Sequence, residues 1–76
     1  MRTIYADFND FAKDGTLPLT CSGSIKSIIS LDTPLTDGEE VILTDGDLIV
    51  IAQVFRLTNG TWEGRSNWKF TEGSML

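Results

Sequence analysis

The last part of the chain alternates apolar or small residues with polar ones. One set of alternate positions holds Trp62, Gly64, Ser66, Trp68 and Phe70. The positions between them hold Thr61, Glu63, Arg65, Asn67 and Lys69. Successive side chains of a strand point to opposite faces, so this period of two predicts a half-buried antiparallel strand over residues 61–70. Both tryptophans would then lie on the buried side.

Two dipeptides predict tight β-hairpins. Asp45-Gly46 and Asn59-Gly60 are each flanked by residues that favour strands. Type I′ turns need positive φ at both central residues, which Asn, Asp and Gly tolerate best. The chain is therefore predicted to form a three-stranded meander with strands near 39–44, 47–57 and 61–70.

Loops of two residues would also set the strand register. Across Asn59-Gly60, Leu57 would face Trp62 and Phe55 would face Gly64. The pairs predicted across Asp45-Gly46 are Leu43 with Leu48, Ile42 with Ile49 and Val41 with Val50. Further along the second hairpin, the same register would pair Ile51 with Trp68 and Ile49 with Phe70.

The middle strand of this meander is apolar on both faces, which is typical of a strand covered on both sides. The face predicted to meet the tryptophans comprises Ile42, Ile49, Ile51, Phe55 and Leu57. The other face comprises Val41, Leu43, Leu48, Val50, Ala52 and Val54. Its cover is either the N-terminal half of the chain or another protein. Our candidate partner-binding residues are therefore Val41, Leu43, Leu48, Val50 and Val54.

The N-terminal half is predicted to add two strands and one helix. Alternation indicates strands near 4–8 and 17–21, and Pro18 makes the second an edge strand because proline donates no ladder hydrogen bond. Ser24 suits a helix N-cap, and isoleucines follow it at helical spacing. These features predict a short helix over 24–31, although the same isoleucines would also suit a strand.

Five strands and one short helix in 76 residues predict a mainly-β fold. We expect a small five-stranded antiparallel barrel or roll, SH3-like or alternatively OB-like. Residues 1–70 would form a single domain, and residues 71–76 a loose tail. A chain of this length buries only about 60% of its surface on folding, which leaves little room for a deep substrate cavity.

The net charge of the chain limits the kinds of molecule that it is expected to bind. The formal net charge is −5, and acidic residues without any basic one occupy the stretch from Asp32 to Asp47. Nucleic-acid binding depends mainly on Lys and Arg, so the charge argues against nucleic acid and anionic membranes. The acidic stretch is either a set of solvated turns or a docking face for a basic partner. We expect no membrane association, since no apolar run approaches the roughly 18 residues that a span requires.

Few residues could carry catalysis. Histidine is absent, which removes the commonest general base and metal ligand. Cys21 is better interpreted as a small buried hydrophobe than as a nucleophile, and one cysteine cannot form an internal disulfide, as expected of a cytoplasmic protein. The oxygens of Asp7, Asn9, Asp10 and Asp14 suit turns and do not match the spacing of a calcium-binding EF-hand loop. We predict no catalytic residue, metal site or cofactor.

These observations favour a non-enzymatic binding or regulatory module that acts through protein-protein contacts, with a partner or with a second copy. The alternative is a small barrel that binds single-stranded nucleic acid, although the net charge argues against it. Its stacking platforms would be Trp62, Trp68, Phe8 or Tyr5.

The chain also resembles a group of small bacterial proteins. The shared segments are Tyr5-Ala6-Asp7-Phe8-Asn9, Gly15-Thr16-Leu17-Pro18-Leu19, Gly23-Ser24, Leu35-Thr36-Asp37-Gly38-Glu39 and the pair Trp62 and Trp68. The resemblance extends to about Phe70 and implies a bacterial stand-alone domain. It implies no activity and no site residues.

Overall fold

The computed structural model describes residues 1–10, 12 and 14–66. Within them the chain forms a five-stranded sheet and one α-helix, so the mainly-β prediction is confirmed. The elements are β1 (Arg2–Tyr5), a 3-10 turn (Phe8–Asp10), β2 (Leu17–Pro18), α1 (Ser22–Ile29), β3 (Glu40–Thr44), β4 (Ile49–Arg56) and β5 (Trp62–Arg65). The predicted strand positions 67–70 and the predicted tail 71–76 lie outside the described residues.

The sheet has the strand order β1-β3-β4-β5-β2. The prediction of an all-antiparallel sheet is wrong, because β1 runs parallel to β3 while the other three pairs are antiparallel. The chain passes through α1 between these two strands, and parallel neighbours need a crossover connection of this kind. Within the described residues β1 and β2 are the two edges of an open sheet. The expected SH3-like or OB-like barrel would need these edges to meet.

The β4–β5 hairpin has a three-residue loop, one residue longer than predicted. Leu57 N donates to Thr61 O at 2.8 Å, and Gly60 N donates to Leu57 O at 2.9 Å. Gly60 has a φ of 89°, as in a type I turn that ends with a left-handed residue. The observed pairs include Val54 with Gly64 and Arg56 with Trp62. The predicted register is therefore wrong by one residue, which exchanges the two faces of β5 relative to β4.

The β3–β4 loop is also longer than predicted and contains residues 45–48. The Asp45 carboxylate accepts hydrogen bonds from Asp47 N and Leu48 N, both at 2.8 Å. The observed pairs include Val41 with Ala52, Leu43 with Val50 and Thr44 with Ile49. This register differs from the predicted one by two residues. Because the side-chain period of a strand is also two, β3 and β4 keep their predicted faces relative to each other.

The core lies on the side of the sheet that carries Val54 and Trp62. Its most deeply buried side chains are Ile4, Leu17, Leu19, Val41, Leu43, Val50 and Val54. Partly buried Phe8, Ile28, Leu31 and Trp62 pack against them. The prediction that Ile51 and Phe55 share a face with Trp62 is therefore wrong. The one-residue shift at the β4–β5 loop is the physical reason.

Helix α1 confirms the predicted helix but begins two residues earlier. Its N-cap is Cys21, not Ser24, and the Cys21 Sγ accepts from Ser24 N at 3.4 Å. The buried Ser24 hydroxyl donates to Tyr5 O at 2.5 Å, and Tyr5 N donates to Ser27 Oγ at 3.1 Å. The side chains of Ser24 and Ser27 thus form hydrogen bonds with the C=O and N–H of Tyr5, which point away from β3.

Candidate functional site

A groove lies between α1 and the β4–β5 hairpin. It consists of two adjoining concavities of about 370 Å³ and about 210 Å³. Ile28, Ile29 and Trp62 line both concavities. The larger one extends to residues 31–35 and Arg56. We call this feature the Trp62 groove and define it by Leu19, Ile25, Ile28, Ile29, Pro34 and Trp62.

Helix geometry explains why the wall of the Trp62 groove is apolar and exposed. Successive helical residues are rotated by about 100°, so adjacent isoleucines cannot both face the core. Ile28 packs against the core, whereas Ile25 and Ile29 are 45% and 75% exposed. Two large aliphatic side chains therefore stand at the surface beside a partly buried indole.

The loop at one end of the groove is held in place by Arg2. The Arg2 guanidinium donates to the Glu39 carboxylate through Nε at 3.0 Å and Nη2 at 2.9 Å. It also donates to Thr33 O at 2.7 Å and Pro34 O at 3.0 Å. Such two-point contacts between arginine and carboxylate fix geometry better than a single hydrogen bond. The groove wall at residues 33–34 is thereby tied to β1 and to the residue before β3.

We expect the protein to lose stability in acid partly through Glu39. Hydrogen bonds from Arg2 and from Thr36 N hold the pKa of Glu39 below its ordinary value of 4.5. A carboxyl with a depressed pKa in the folded state stabilises that state above its unfolded pKa. It loses this contribution as pH falls through the folded pKa. The urea midpoint should therefore fall less in Glu39→Gln than in the parent chain between about pH 7 and about pH 3. An equal fall in both proteins would contradict the prediction.

Charged groups of both signs surround one end of the Trp62 groove. Asp32 lines one end, and its side chain is 94% exposed. It follows the C-terminus of α1, where the helix dipole places partial negative charge. The Asp37 carboxylate accepts from Arg56 N at 2.7 Å, which brings a second acid close to the same end. Arg56 contributes a cation to the lining, and the Arg2 guanidinium lies 3.9 Å from the Asp32 carboxylate.

The opposite side of the sheet presents a second apolar surface. We call it the outer face and define it by Ile42, Ile49, Ile51, Gln53 and Phe55. Ile49 is 45% exposed and Ile51 is 50% exposed. At its margin Arg65 Nε donates to Glu63 at 2.6 Å, and the Arg65 guanidinium lies 4.6 Å from the centre of the Phe55 ring. The partly buried Ile28 of α1 packs on the other side of the sheet, against the core.

The structure brings the predicted partner-binding residues together on one face, but it buries that face. Val41, Leu43, Val50 and Val54 have no exposed area, and Leu48 is half-buried in the β3–β4 loop. The sequence allowed two covers for this face, the N-terminal half of the chain or another protein. The structure shows that the chain itself covers it. Sequence reasoning missed the Trp62 groove, although three isoleucines on a helix of two turns were a usable signal.

The acidic residues near the N-terminus support local turns. Asp7 accepts from Asn9 N, and Asp14 accepts from Thr16 N, both at 3.0 Å. The hydrogen bonds from Thr16 lower the pKa of Asp14. Among the residues that the structure describes, no three His, Cys, Asp or Glu side chains are grouped so that they could hold a metal ion.

The aromatic residues considered as stacking platforms do not form one surface. The Tyr5 ring lies over Gly23, where an added Cβ would come within 2.8 Å of Tyr5 Cε2. Phe8 packs against the core and Trp62 lines the groove. The fourth candidate, Trp68, lies outside the described residues.

Within the described ranges, no helix has the length and apolar character needed to cross a membrane. The resemblance to small bacterial proteins stays a prediction. Comparison of the chain with protein-family models, with curated proteins and with solved structures found no match.

Proposed function

We propose that this protein is a non-enzymatic binding module that holds a segment of a partner protein in the Trp62 groove. The observation that carries the proposal is the pairing of Ile29, 75% exposed, with the partly buried Trp62 in one concavity. Burial of an exposed aliphatic side chain that lies beside an indole contributes more to the binding free energy than burial of an isolated apolar residue on the surface. Contacts that dominate binding free energy are commonly built around such aromatic anchors.

The size of the groove favours a peptide segment. Two adjoining concavities with a shared wall can receive neighbouring apolar side chains of one extended or helical segment. Small-molecule sites usually have volumes of about 300 to 1,000 Å³. The larger concavity, about 370 Å³, lies near the lower end of that range, and the smaller, about 210 Å³, lies below it. Both also open to the surface rather than enclosing a ligand. We therefore assign the groove to side chains presented by a protein.

Charge complementarity indicates a cationic partner segment. The chain carries a net charge of −5, and Asp32 lines the end of the groove where α1 terminates. Asp37 is hydrogen-bonded to the main chain of Arg56, which also lines the groove. Arg2 lies 3.9 Å from the Asp32 carboxylate, but the Asp32 side chain is 94% exposed. A Lys or Arg of the partner could therefore still reach Asp32, next to the negative end of the helix dipole. The wider acidic surface would steer such a partner during encounter. We also propose a cytoplasmic setting, since the chain has a single cysteine and so cannot form an internal disulfide.

The proposal is tested with a short peptide of alternating lysine and leucine, blocked at both ends. Titration followed by NMR should shift the amide signals of Ile25 and Ile29 and the indole signal of Trp62. Ile29→Ser should weaken binding by about tenfold or more, because burial of a large aliphatic side chain contributes about 1.5 kcal/mol or more. The matched control is Ile51→Ser on the outer face, which should bind like the parent.

Two further results would test separately the preference for a cationic segment and the assignment of binding to the Trp62 groove. A peptide of alternating glutamate and leucine should bind more weakly, and the difference should shrink at high salt. Equal binding of the two peptides would contradict the cationic preference and leave the groove assignment standing. Shifts confined to the outer face, or equal weakening by Ile29→Ser and Ile51→Ser, would contradict the groove assignment itself.

A further inference from the structure

Arg2 lies beside the Trp62 groove but outside it. It is the first residue of β1 and pairs with Val41 of β3. Its side chain is 25% exposed, and it lines neither concavity of the groove as the structure describes them. The guanidinium contacts residues 32–35, which line the larger concavity. Arg2 can therefore affect binding in the groove either through its charge or through the position of these residues.

The main chain of residues 32–35 depends on Arg2 for its hydrogen bonds. Arg2 Nη1 donates to Thr33 O at 2.7 Å and to Thr33 Oγ1 at 2.8 Å, and Nη2 donates to Pro34 O at 3.0 Å. Among the described residues, no other main-chain group forms a hydrogen bond with the main chain of residues 32–35. The buried Leu35 anchors one end of the segment in the core. Segments with so few hydrogen bonds open locally at a low cost in free energy.

Glu39 fixes the guanidinium of Arg2 to the sheet. The Glu39 carboxylate accepts from Arg2 Nε at 3.0 Å and from Nη2 at 2.9 Å. The same carboxylate accepts from Thr36 N at 3.0 Å, and Glu39 O accepts from Val54 N of β4 at 3.0 Å. Only a guanidinium has enough donors in one plane to bind a carboxylate and two carbonyls together, whereas the ammonium of lysine acts as a point charge.

We propose that Arg2 is a positioning residue for the Trp62 groove, which holds residues 32–35 where they can receive the partner segment. The inference rests on the function proposed above and adds to it a residue that need not touch the partner. Its physical reason is preorganisation. The apparent affinity of a site falls in proportion to the fraction of molecules that hold the binding conformation.

Charge and position predict opposite effects on a cationic peptide when Arg2 is replaced. Arg2→Met removes one positive charge and leaves Asp32, now 3.9 Å from the guanidinium, without that cation. An effect of charge alone would therefore strengthen binding of the lysine–leucine peptide. Displacement of residues 32–35 would weaken it. The sign of the change thus separates the two explanations.

Calorimetric titration with the lysine–leucine peptide tests the proposal on the parent chain, Arg2→Met and Arg2→Lys. Both variants should bind about threefold or more weakly, which corresponds to residues 32–35 keeping their position in about a third of the molecules or fewer. The matched control is Arg65→Met on the outer face, where Arg65 donates to Glu63 at 2.6 Å. It makes the same change in net charge and should bind no more weakly than the parent.

Hydrogen exchange of the free proteins tests the position of the segment without any peptide. The amides of Thr33 and Leu35 should exchange faster in Arg2→Met than in the parent, and at the parent rate in Arg65→Met. Circular dichroism should show the same fold in all the proteins, since the contacts of Arg2 lie at the surface or are only part-buried.

Three results would overturn the proposal. Equal or tighter peptide binding by Arg2→Met, with exchange like that of the parent, would reject the positioning role and leave the function of the groove standing. Binding by Arg2→Lys as tight as that of the parent would show that a positive charge is sufficient without the guanidinium. Failure of the parent chain itself to bind the peptide would reject the function proposed for the groove, and this inference with it.

Discussion

Replacing Leu43 with alanine lowers the free energy of unfolding by about 2 to 5 kcal/mol. Leu43 has no exposed area and belongs to the main hydrophobic cluster. Its truncation removes buried methyl groups and leaves a cavity that β3 and the strands beside it cannot close. A domain of 76 residues has a total stability of about 4 to 11 kcal/mol. The variant should therefore unfold at a much lower urea concentration.

The matched control is Ile51→Ala on the neighbouring strand β4. Ile51 is 50% exposed and points to the outer face, so we expect a loss of less than about 1 kcal/mol. Both variants should be measured at low micromolar concentration, where a dimer would not add to the apparent stability. A larger loss for Ile51→Ala than for Leu43→Ala would show that the core lies on the face predicted from the sequence alone.

Replacing Ser24 with alanine lowers the free energy of unfolding by about 1 to 3 kcal/mol, although alanine is the better helix former. Ser24 is fully buried, and its hydroxyl donates to Tyr5 O at 2.5 Å. The variant leaves that part-buried carbonyl without its donor. Chemical denaturation gives the loss directly, and hydrogen exchange at the end of β1 should become faster.

The control for this change is Ser22→Ala in the same turn of α1. Ser22 is exposed, so alanine there changes helix propensity without removing a buried hydrogen bond. We expect Ser22→Ala to lie within about 0.5 kcal/mol of the parent. Equal effects at the two positions would mean that the Ser24 hydroxyl contributes nothing beyond its place in the first turn.

Strand positions were predictable from the sequence because they depend on local patterns. β3, β4 and β5 fall within the predicted segments, and each has the alternation or apolar run that marks a strand. The register was not predictable, because one extra loop residue changes it. Thr58 joins Asn59-Gly60 in the loop, and Gly60 supplies a left-handed conformation. The dipeptide suits both loop lengths. Only packing of the whole sheet selects between them.

Long-range features were missed for a related reason. The parallel pairing of β1 with β3 joins segments separated by about forty residues, and no local pattern encodes it. The same holds for Arg2, whose hydrogen bonds to Glu39 and Pro34 shape the end of the Trp62 groove. The division of the apolar residues of β3 and β4 between two faces was predicted correctly, but Trp62 was assigned to the wrong face. Which of the two faces is exposed depends on the register of β5, because that register decides which face Trp62 joins. The candidate binding residues are therefore Ile25 and Ile29 rather than Val41 and Leu43.

The hydrogen bonds from α1 to β1 hinder the addition of a further strand to that edge of the sheet. At that border the hydroxyls of Ser24 and Ser27 occupy the main-chain groups of Tyr5 that an incoming strand would use. At the opposite border the outermost strand is two residues long and ends at Pro18, which has no N–H to offer. Both borders therefore resist the strand-by-strand extension that leads to fibrils. We therefore expect any association of this protein to involve its two broad sides.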